Sequence, residues 1–281
     1  MINRLFHTSY LFLFLPLLIT ICLSEKALAA DGIILKQVRY RKGSPDKLKG
    51  KVLISDNKLK FESDVPKQAM ILNLNTDDLI IIFKDARQYI TAKPNEFFED
   101  AEELNKKWIA DKMKQLSLLP PDKRAQMEEL MKSQGVILPD GLTRSKTLSF
   151  QKSNQDETIA GYKSTKYEIF EDGKIAEEIW VSDSVAKDEI DLQKTANLFK
   201  EFAYLNRRES GTTVSPQGKE IYREVFESGF PMKKTSHEPD GTVYIEEITK
   251  VSKENIPDSE FVPPNDYKKI TLQEMMQQLE K

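Results

Sequence analysis

Cysteine and histidine are almost absent from this chain of 281 residues: Cys22 is the single cysteine, and His7 and His237 are the two histidines. Cys22 and His7 both lie in an N-terminal segment that we expect to be removed. The mature chain would then have neither disulfides nor a cysteine nucleophile. Its stability must come from packing, and a mature chain of about 250 residues is long enough to bury a large core in one domain.

Long apolar runs are equally scarce, and the one clear example is N-terminal. Arg4 precedes the apolar run Tyr10–Leu23, and small residues follow it up to Ala29. This pattern predicts a secretory signal peptide, residues 1–29, cleaved after Ala29. A membrane anchor needs ~20 apolar residues, whereas Pro16 interrupts this run; a lipid anchor needs a small residue just before Cys22, and a bulky one stands there. We therefore expect a periplasmic protein, exported by the signal peptide and soluble after cleavage.

Motifs for catalysis and metal binding are missing too. His237 lies beside a turn in "SHEPDG", and the second histidine of a zinc hydrolase motif does not follow it. Residues 73–84 begin with the spacing of a calcium loop but lack its glycine and its final glutamate. A net charge of −3 with interspersed signs argues against nucleic acid as a partner. We predict no enzyme, no cofactor and no metal site; a pair of carboxylates suited to glycoside hydrolysis stays open, because separation in space is not visible in a sequence.

The remaining residues alternate mainly in the manner of β-strands. Residues 51–54 and 59–63 flank an Asp-Asn turn, and further short strands follow up to Ala92, which predicts four or five strands in a meander. Helical spacing of apolar residues then predicts a helical insertion at about 95–134 and another helix at about 188–206. Residues 220–225 fit either a strand or a helical turn.

The stretch "KYEIFEDGKIAEEIWVS", residues 166–182, contains one of the strongest hairpin signals, an Asp-Gly pair between two alternating segments. On its second leg Glu177 falls in the apolar row, while Trp180 lies on the other face. Two explanations stay open for this glutamate. Either a β-bulge at Glu177–Glu178 resets the alternation, or Glu177 is an inward carboxylate with a purpose.

Several segments resemble an uncharacterised family of exported bacterial proteins, domain of unknown function 4412. They are "DETIAGYKSTKY" at 156–167, "EEIWVSD" at 177–183, "ESGFPMK" at 227–233 and "IPDSEFVPPNDYKKI" at 256–270, with the opening hairpins from Ile54 to Ala92. That family is similar to the LolA-like periplasmic lipoprotein carriers. The resemblance implies a mainly β (α+β) fold in one domain, residues 30–281, in which a curved antiparallel half-open barrel has helices covering its concave face.

The resemblance also implies an apolar surface under the helices, and a function follows from it. We predict non-catalytic binding of an apolar or amphiphilic ligand, a lipid or lipoprotein acyl chain. The alternative is a structural or protein-docking module of the cell envelope with a filled core and an envelope protein as partner. Hollow and filled interiors both occur in folds of this kind. The suggested lining is Phe61, Tyr167, Ile169, Ile179 and Val181 from strands, with Phe97, Phe98, Leu104 and Trp108 from the covering helix.

Overall fold

The computed structural model describes residues 29–65, 67–133, 147–209, 216–238 and 240–279. The predicted signal peptide lies outside these ranges apart from its last residue, as do Cys22 and His7. None of the helices in the described ranges combines the length and the apolar character that a membrane span needs.

Twelve strands of the described ranges form one sheet, which confirms the predicted mainly β fold class. Their order across the sheet is β12-β6-β5-β4-β3-β2-β1-β11-β10-β9-β8-β7, so the sheet is open, with β12 and β7 at its edges. All neighbours are antiparallel except β12 and β6. The bounds are β1 Ala29–Arg41, β2 Leu48–Ser55, β3 Lys58–Asp64, β4 Lys67–Asn73, β5 Asp78–Phe83, β6 Gln88–Ala92, β7 Leu148–Ile159, β8 Tyr162–Glu171, β9 Lys174–Ser182, β10 Phe230–His237, β11 Val243–Pro257 and β12 Lys268–Lys269.

Two-residue turns with positive φ close the tight hairpins. Asp56 and Asn57 have φ of 48° and 57° between β2 and β3, and Asp172 and Gly173 have φ of 49° and 78° between β8 and β9. Such turns match the right-handed twist of the flanking strands. Both of these predicted hairpins are confirmed.

The first third holds six strands where the sequence predicted four or five. The additional strand is β1, which pairs with β2 on one side and with β11 on the other. It therefore joins the N-terminal meander to the C-terminal strands at the middle of the sheet.

Five α-helices of the described ranges accompany the sheet: α1 Pro94–Ser117, α2 Pro121–Ser133, α3 Leu192–Glu209, α4 Pro216–Glu227 and α5 Leu272–Leu279. The first two occupy the region of the predicted helical insertion. The ambiguous segment 220–225 is helical and lies within α4, where Ile221, Tyr222 and Val225 follow helical spacing.

Apolar residues are buried on both faces of the N-terminal half of the sheet. Leu79 and Ile81 of β5 belong to the core under α3, which we call the helix-covered face. Ile80 and Ile82 point to the opposite face, where Phe261 and Tyr267 of the C-terminal segment cover them. Burial on both faces explains why residues 79–83 form an unbroken apolar run.

Candidate functional site

A half-open cavity of about 270 Å³ lies between the helix-covered face and helices α3 and α4. Residues from seven strands and both helices converge there, because alternate residues of each strand point to the same face. The apolar part of its wall consists of Val52, Phe61, Met70, Ile179, Phe230, Met232 and Ile248 from the sheet, with Phe199, Phe202, Ala203 and Phe226 from the helices.

Phe199 of α3 is the centre of an aromatic cluster in this wall. Its ring centroid lies 5.9 Å from that of Phe61, 5.3 Å from that of Phe226 and 6.3 Å from that of Phe230, all edge-on. Edge-to-face pairs add to the stability that burial provides. The cluster therefore ties both covering helices to the sheet around the cavity.

The mouth of the cavity is polar. Gln37, Lys234 and Glu246 line it beside Ile248. Glu246 is paired in register with Arg39 on β1 and with Lys234 on β10. The Arg39 Nε lies 3.2 Å from Glu246 Oε1, and the Lys234 Nζ lies 3.7 Å from Glu177 Oε1. The site thus joins an apolar interior to a rim that carries both signs of charge.

Glu177 points inward, and a bulge is present as well. Ile169 pairs with Glu177 and Phe170 with Ile175, so the extra residue of β9 is Ala176, not Glu177–Glu178 as one explanation placed it. The Glu177 side chain is buried, and the Tyr222 hydroxyl donates a 2.9 Å hydrogen bond to its Oε2. The carboxylate therefore links the sheet to α4. Of the two explanations for Glu177, the inward carboxylate is the one that fits, and its role is structural.

The structure brings two of the nine suggested lining residues, Phe61 and Ile179, to the cavity wall. Three others, Tyr167, Ile169 and Val181, do not line the cavity. They are buried beside it, in a cluster that also contains Ile179 of the wall and Tyr222 and Val225 of α4. Their packing leaves them inside a filled part of the core.

The suggested residues of α1 lie beside the site. Phe98 is buried, and its ring centroid is 5.0 Å from that of Phe202. Phe97 packs against the main core, and Leu104 is half-buried. The side chain of Trp108 lies outside the described residues. The cover of the cavity is provided by α3 and α4; α1 contacts this cover through Phe98, whose ring packs on Phe202. Ligand binding by the suggested lining stays a prediction.

Sequence reasoning omitted most of the true wall. Phe199, Phe202 and Ala203 share one face of a helix that the spacing did predict, so the signal for α3 was present. Phe226 was not recognised because its segment could be read as strand or helix. Its place in the wall depends on α4 packing against α3.

A second cavity of about 380 Å³ lies on the opposite face, between β3, β4, β5 and the C-terminal segment. An ionic cluster lies beside it, in which Glu62 forms ion pairs with Lys51 at 2.7 Å, Lys84 at 3.0 Å and Lys60 at 3.2 Å. Burial alone would raise the pKa of Glu62, but these three ammonium groups outweigh it and lower that pKa to about 2. Glu62 is thus a permanently ionised partner of lysines and is unsuited to proton transfer near neutral pH.

His237 is exposed, with its Nε2 3.2 Å from Glu178 Oε2. In the part of the chain that the structure describes, no three acidic, histidine or cysteine side chains are grouped so that they could hold a metal ion.

Residues 98–267 match the family model described as Domain of unknown function (DUF4412). The chain belongs to this family. The matched range begins in α1 and ends at Tyr267, so it includes α3, α4 and strands β7 to β11 of the DUF4412 protein. The opening hairpins precede it. No protein of curated function matches the chain significantly.

Solved structures resemble the chain only remotely. PNGF-II is 10% identical with a TM-score of 0.42, over 90% of this chain and 33% of its own, so this chain spans about a third of PNGF-II. An uncharacterized conserved protein from Thermus thermophilus is 7% identical with a TM-score of 0.41, over 88% of this chain and 93% of its own. A LolA superfamily protein from Nitrosomonas europaea is 11% identical with a TM-score of 0.25, over 85% of this chain and 94% of its own. At such scores these likenesses support no statement about ligand or activity.

Proposed function

We propose that this protein is a non-catalytic binding protein of the periplasm that holds an apolar or amphiphilic ligand, a lipid or an acyl chain, between its sheet and helices α3 and α4. The observation that carries the proposal is the cavity of about 270 Å³ with its phenylalanine-rich wall and polar mouth. Ligand pockets commonly measure about 300–1,000 Å³ and combine apolar walls with a few polar groups. This cavity is slightly smaller than that range, which favours a single acyl chain.

The expected affinity is modest. Burial of a methylene group contributes roughly 0.8 kcal/mol, so about eight buried methylenes contribute roughly 6 kcal/mol. Association costs offset part of this gain. We therefore expect dissociation constants that are micromolar or weaker.

Filling the cavity tests the proposal. Ala203 lines the cavity from α3, whereas Asn197 lies exposed on the same helix. Ala203→Phe places a ring in the cavity, and we expect it to weaken the binding of a fluorescent fatty acid at least about tenfold, equivalent to the loss of about 1.4 kcal/mol. The control Asn197→Phe should bind as the wild type does.

Native mass spectrometry of the exported chain, purified from a bacterial periplasm, provides a second measurement. A lipid adduct that leaves on delipidation and returns on addition is expected. The proposal is wrong if the wild type takes up no fatty acid and carries no lipid, or if Ala203→Phe binds as tightly as the wild type.

A second candidate function is a structural or protein-docking module of the cell envelope. It is favoured by the filled core between α4 and the strands β8 and β9, where Tyr167, Ile169 and Val181 leave no room for a ligand. This candidate predicts a bare mass in the same native spectrum and an envelope protein that crosslinking recovers.

A further inference from the structure

Three charged side chains of alternating sign lie in one row across the mouth of the cavity. Arg39, Glu246 and Lys234 occupy directly paired positions on the adjacent strands β1, β11 and β10. Ile179 of the cavity wall continues the row on β9. Directly paired residues on neighbouring strands point to the same face, with Cβ atoms about 5 Å apart. The row therefore leads from solvent across the polar rim to the apolar wall.

The charges at the mouth balance. Arg39 and Glu246 form a 3.2 Å ion pair, and Lys234 faces Glu177 at 3.7 Å. Lys233 and Glu247, which also line the cavity, are directly paired on β10 and β11. Three cations thus stand against three carboxylates. A purely anionic head group at Lys234 would also meet the negative charge of Glu177 and Glu246, and a purely cationic group at Glu246 would meet Lys234 and Arg39. Like charges at such distances oppose binding.

A head group that carries one positive and one negative charge can place each beside an opposite charge of the protein and so avoids both repulsions. The 3.7 Å between Lys234 and Glu177 is longer than a hydrogen bond, so the ammonium can turn to a ligand phosphate without breaking one to Glu177. The Glu246 side chain is 45% exposed, so a ligand ammonium can approach it from solvent. Both groups line the cavity that would receive the chain.

We propose, on the basis of the function proposed above, that the cavity selects a single-chain zwitterionic amphiphile. Its acyl chain lies against the phenylalanines, its phosphate against Lys234 and its ammonium group against Glu246. Lysophospholipids with a choline or ethanolamine head group have this chemistry.

Four probes with the same length of chain and different head groups test the proposal: dodecylphosphocholine, dodecyl maltoside, laurate and dodecylammonium. Each displaces the fluorescent fatty acid from the exported chain, below its critical micelle concentration. Exposed ion pairs contribute only modestly, so we expect dodecylphosphocholine to bind about threefold to fivefold more tightly than the other three.

Variants of the two rim residues provide the decisive comparison. Lys234→Met and Glu246→Gln should each bring the affinity for dodecylphosphocholine down to that for dodecyl maltoside, with both affinities measured on the same variant. The control Lys250→Met alters an exposed lysine of β11 that does not line the cavity, and it should keep the preference.

The outcomes separate the two proposals. Equal binding of all four probes, a preference for laurate or dodecylammonium, or an unchanged preference in both rim variants overturns the head-group proposal and leaves the binding function intact. Absence of binding by every probe, dodecyl maltoside included, overturns the binding function and the head-group proposal with it.

Discussion

Two acids with little exposed surface, Glu177 and Glu62, each lie beside groups that balance their charge. Glu177 lies in an apolar row of β9, and its partners are the Tyr222 hydroxyl at 2.9 Å and the Lys234 ammonium at 3.7 Å. Glu62 lies among three lysines on the opposite face. An unpaired carboxylate at either place would be strongly destabilising. Each acid is thus explained by contacts within the fold.

Glu62→Gln should destabilise the protein in a pH-dependent way. The pKa of Glu62 falls from the ordinary 4.5 to about 2, so its carboxylate stabilises the fold above pH 4.5, and that contribution is lost as the pH falls toward 2. We expect the variant to lose on the order of 2–3 kcal/mol of unfolding free energy at pH 7. Urea unfolding at pH 7, 5 and 3 measures this: the difference from wild type should be nearly the same at pH 7 and pH 5 and clearly smaller at pH 3, which lies between the two pKa values.

The matched control is Asp85→Asn. Asp85 pairs with Lys67 at 3.4 Å, and both side chains are exposed, so the change should cost less than about 1 kcal/mol. If the difference in unfolding free energy between Glu62→Gln and wild type stays constant from pH 7 to pH 3, the ionised Glu62 carboxylate does not stabilise the fold as described.

At the scale of elements, the connection between α4 and β10 determines how closely the covering helix packs on the sheet. Gly229 connects α4 to β10 with a φ of 144°, and a Cβ there would lie 2.2 Å from the carbonyl oxygen of Ser182. No side chain fits that approach, and this backbone region is essentially restricted to glycine. The close contact of α4 with the sheet therefore depends on this residue.

Gly229→Ala should cost about 3 kcal/mol or more and lower the Tm clearly, because backbone strain and a clash with backbone combine. Gly43 is the matched control: its φ is 85°, but nothing lies within 4 Å of an added Cβ. Gly43→Ala should cost about 1–2 kcal/mol. Thermal unfolding followed by circular dichroism compares them, and equal losses would contradict the role of the close contact at Gly229.

At the scale of the whole molecule, the C-terminal segment closes the opposite face of the N-terminal half. Phe261, 6% exposed, packs against Leu53, Ile71 and Ile82 from three different strands. Lys60 reaches the same segment through a 2.8 Å ion pair with Glu260. The first and last parts of the chain therefore depend on each other for burial.

Phe261→Ala should remove about 3–5 kcal/mol of stability, the usual range for a buried phenylalanine. Its neighbour Val262 is 52% exposed, and Val262→Ala should change stability by no more than about 0.5 kcal/mol. Urea unfolding measures both. A small effect at Phe261 would mean that the segment rests on the sheet without stabilising it.

Local patterns predicted much of this fold and little of the site. The turns at Asp56–Asn57 and Asp172–Gly173 were predictable because their backbone geometry depends on a few adjacent residues. The strand β1 was not, since its pairing with β11 joins residues about two hundred positions apart. The cavity wall was missed for the same reason. Phe61 and Ile179 were recognised, but Phe226 reaches the wall only through the packing of α4 on α3, and Phe230 only through the pairing of β10 with β9.

The sequence by itself determined the class of fold, the hairpin turns and the scarcity of reactive side chains, because composition and period-two alternation are local properties. Only the tertiary structure decided which residues surround the cavity and why Glu177 lies inside. The bulge at Ala176 and the hydroxyl of Tyr222 come from different elements. The partners of a buried carboxylate and the residues that fill an apolar face come from segments far apart in the sequence. Only the packing of the whole chain brings those segments together.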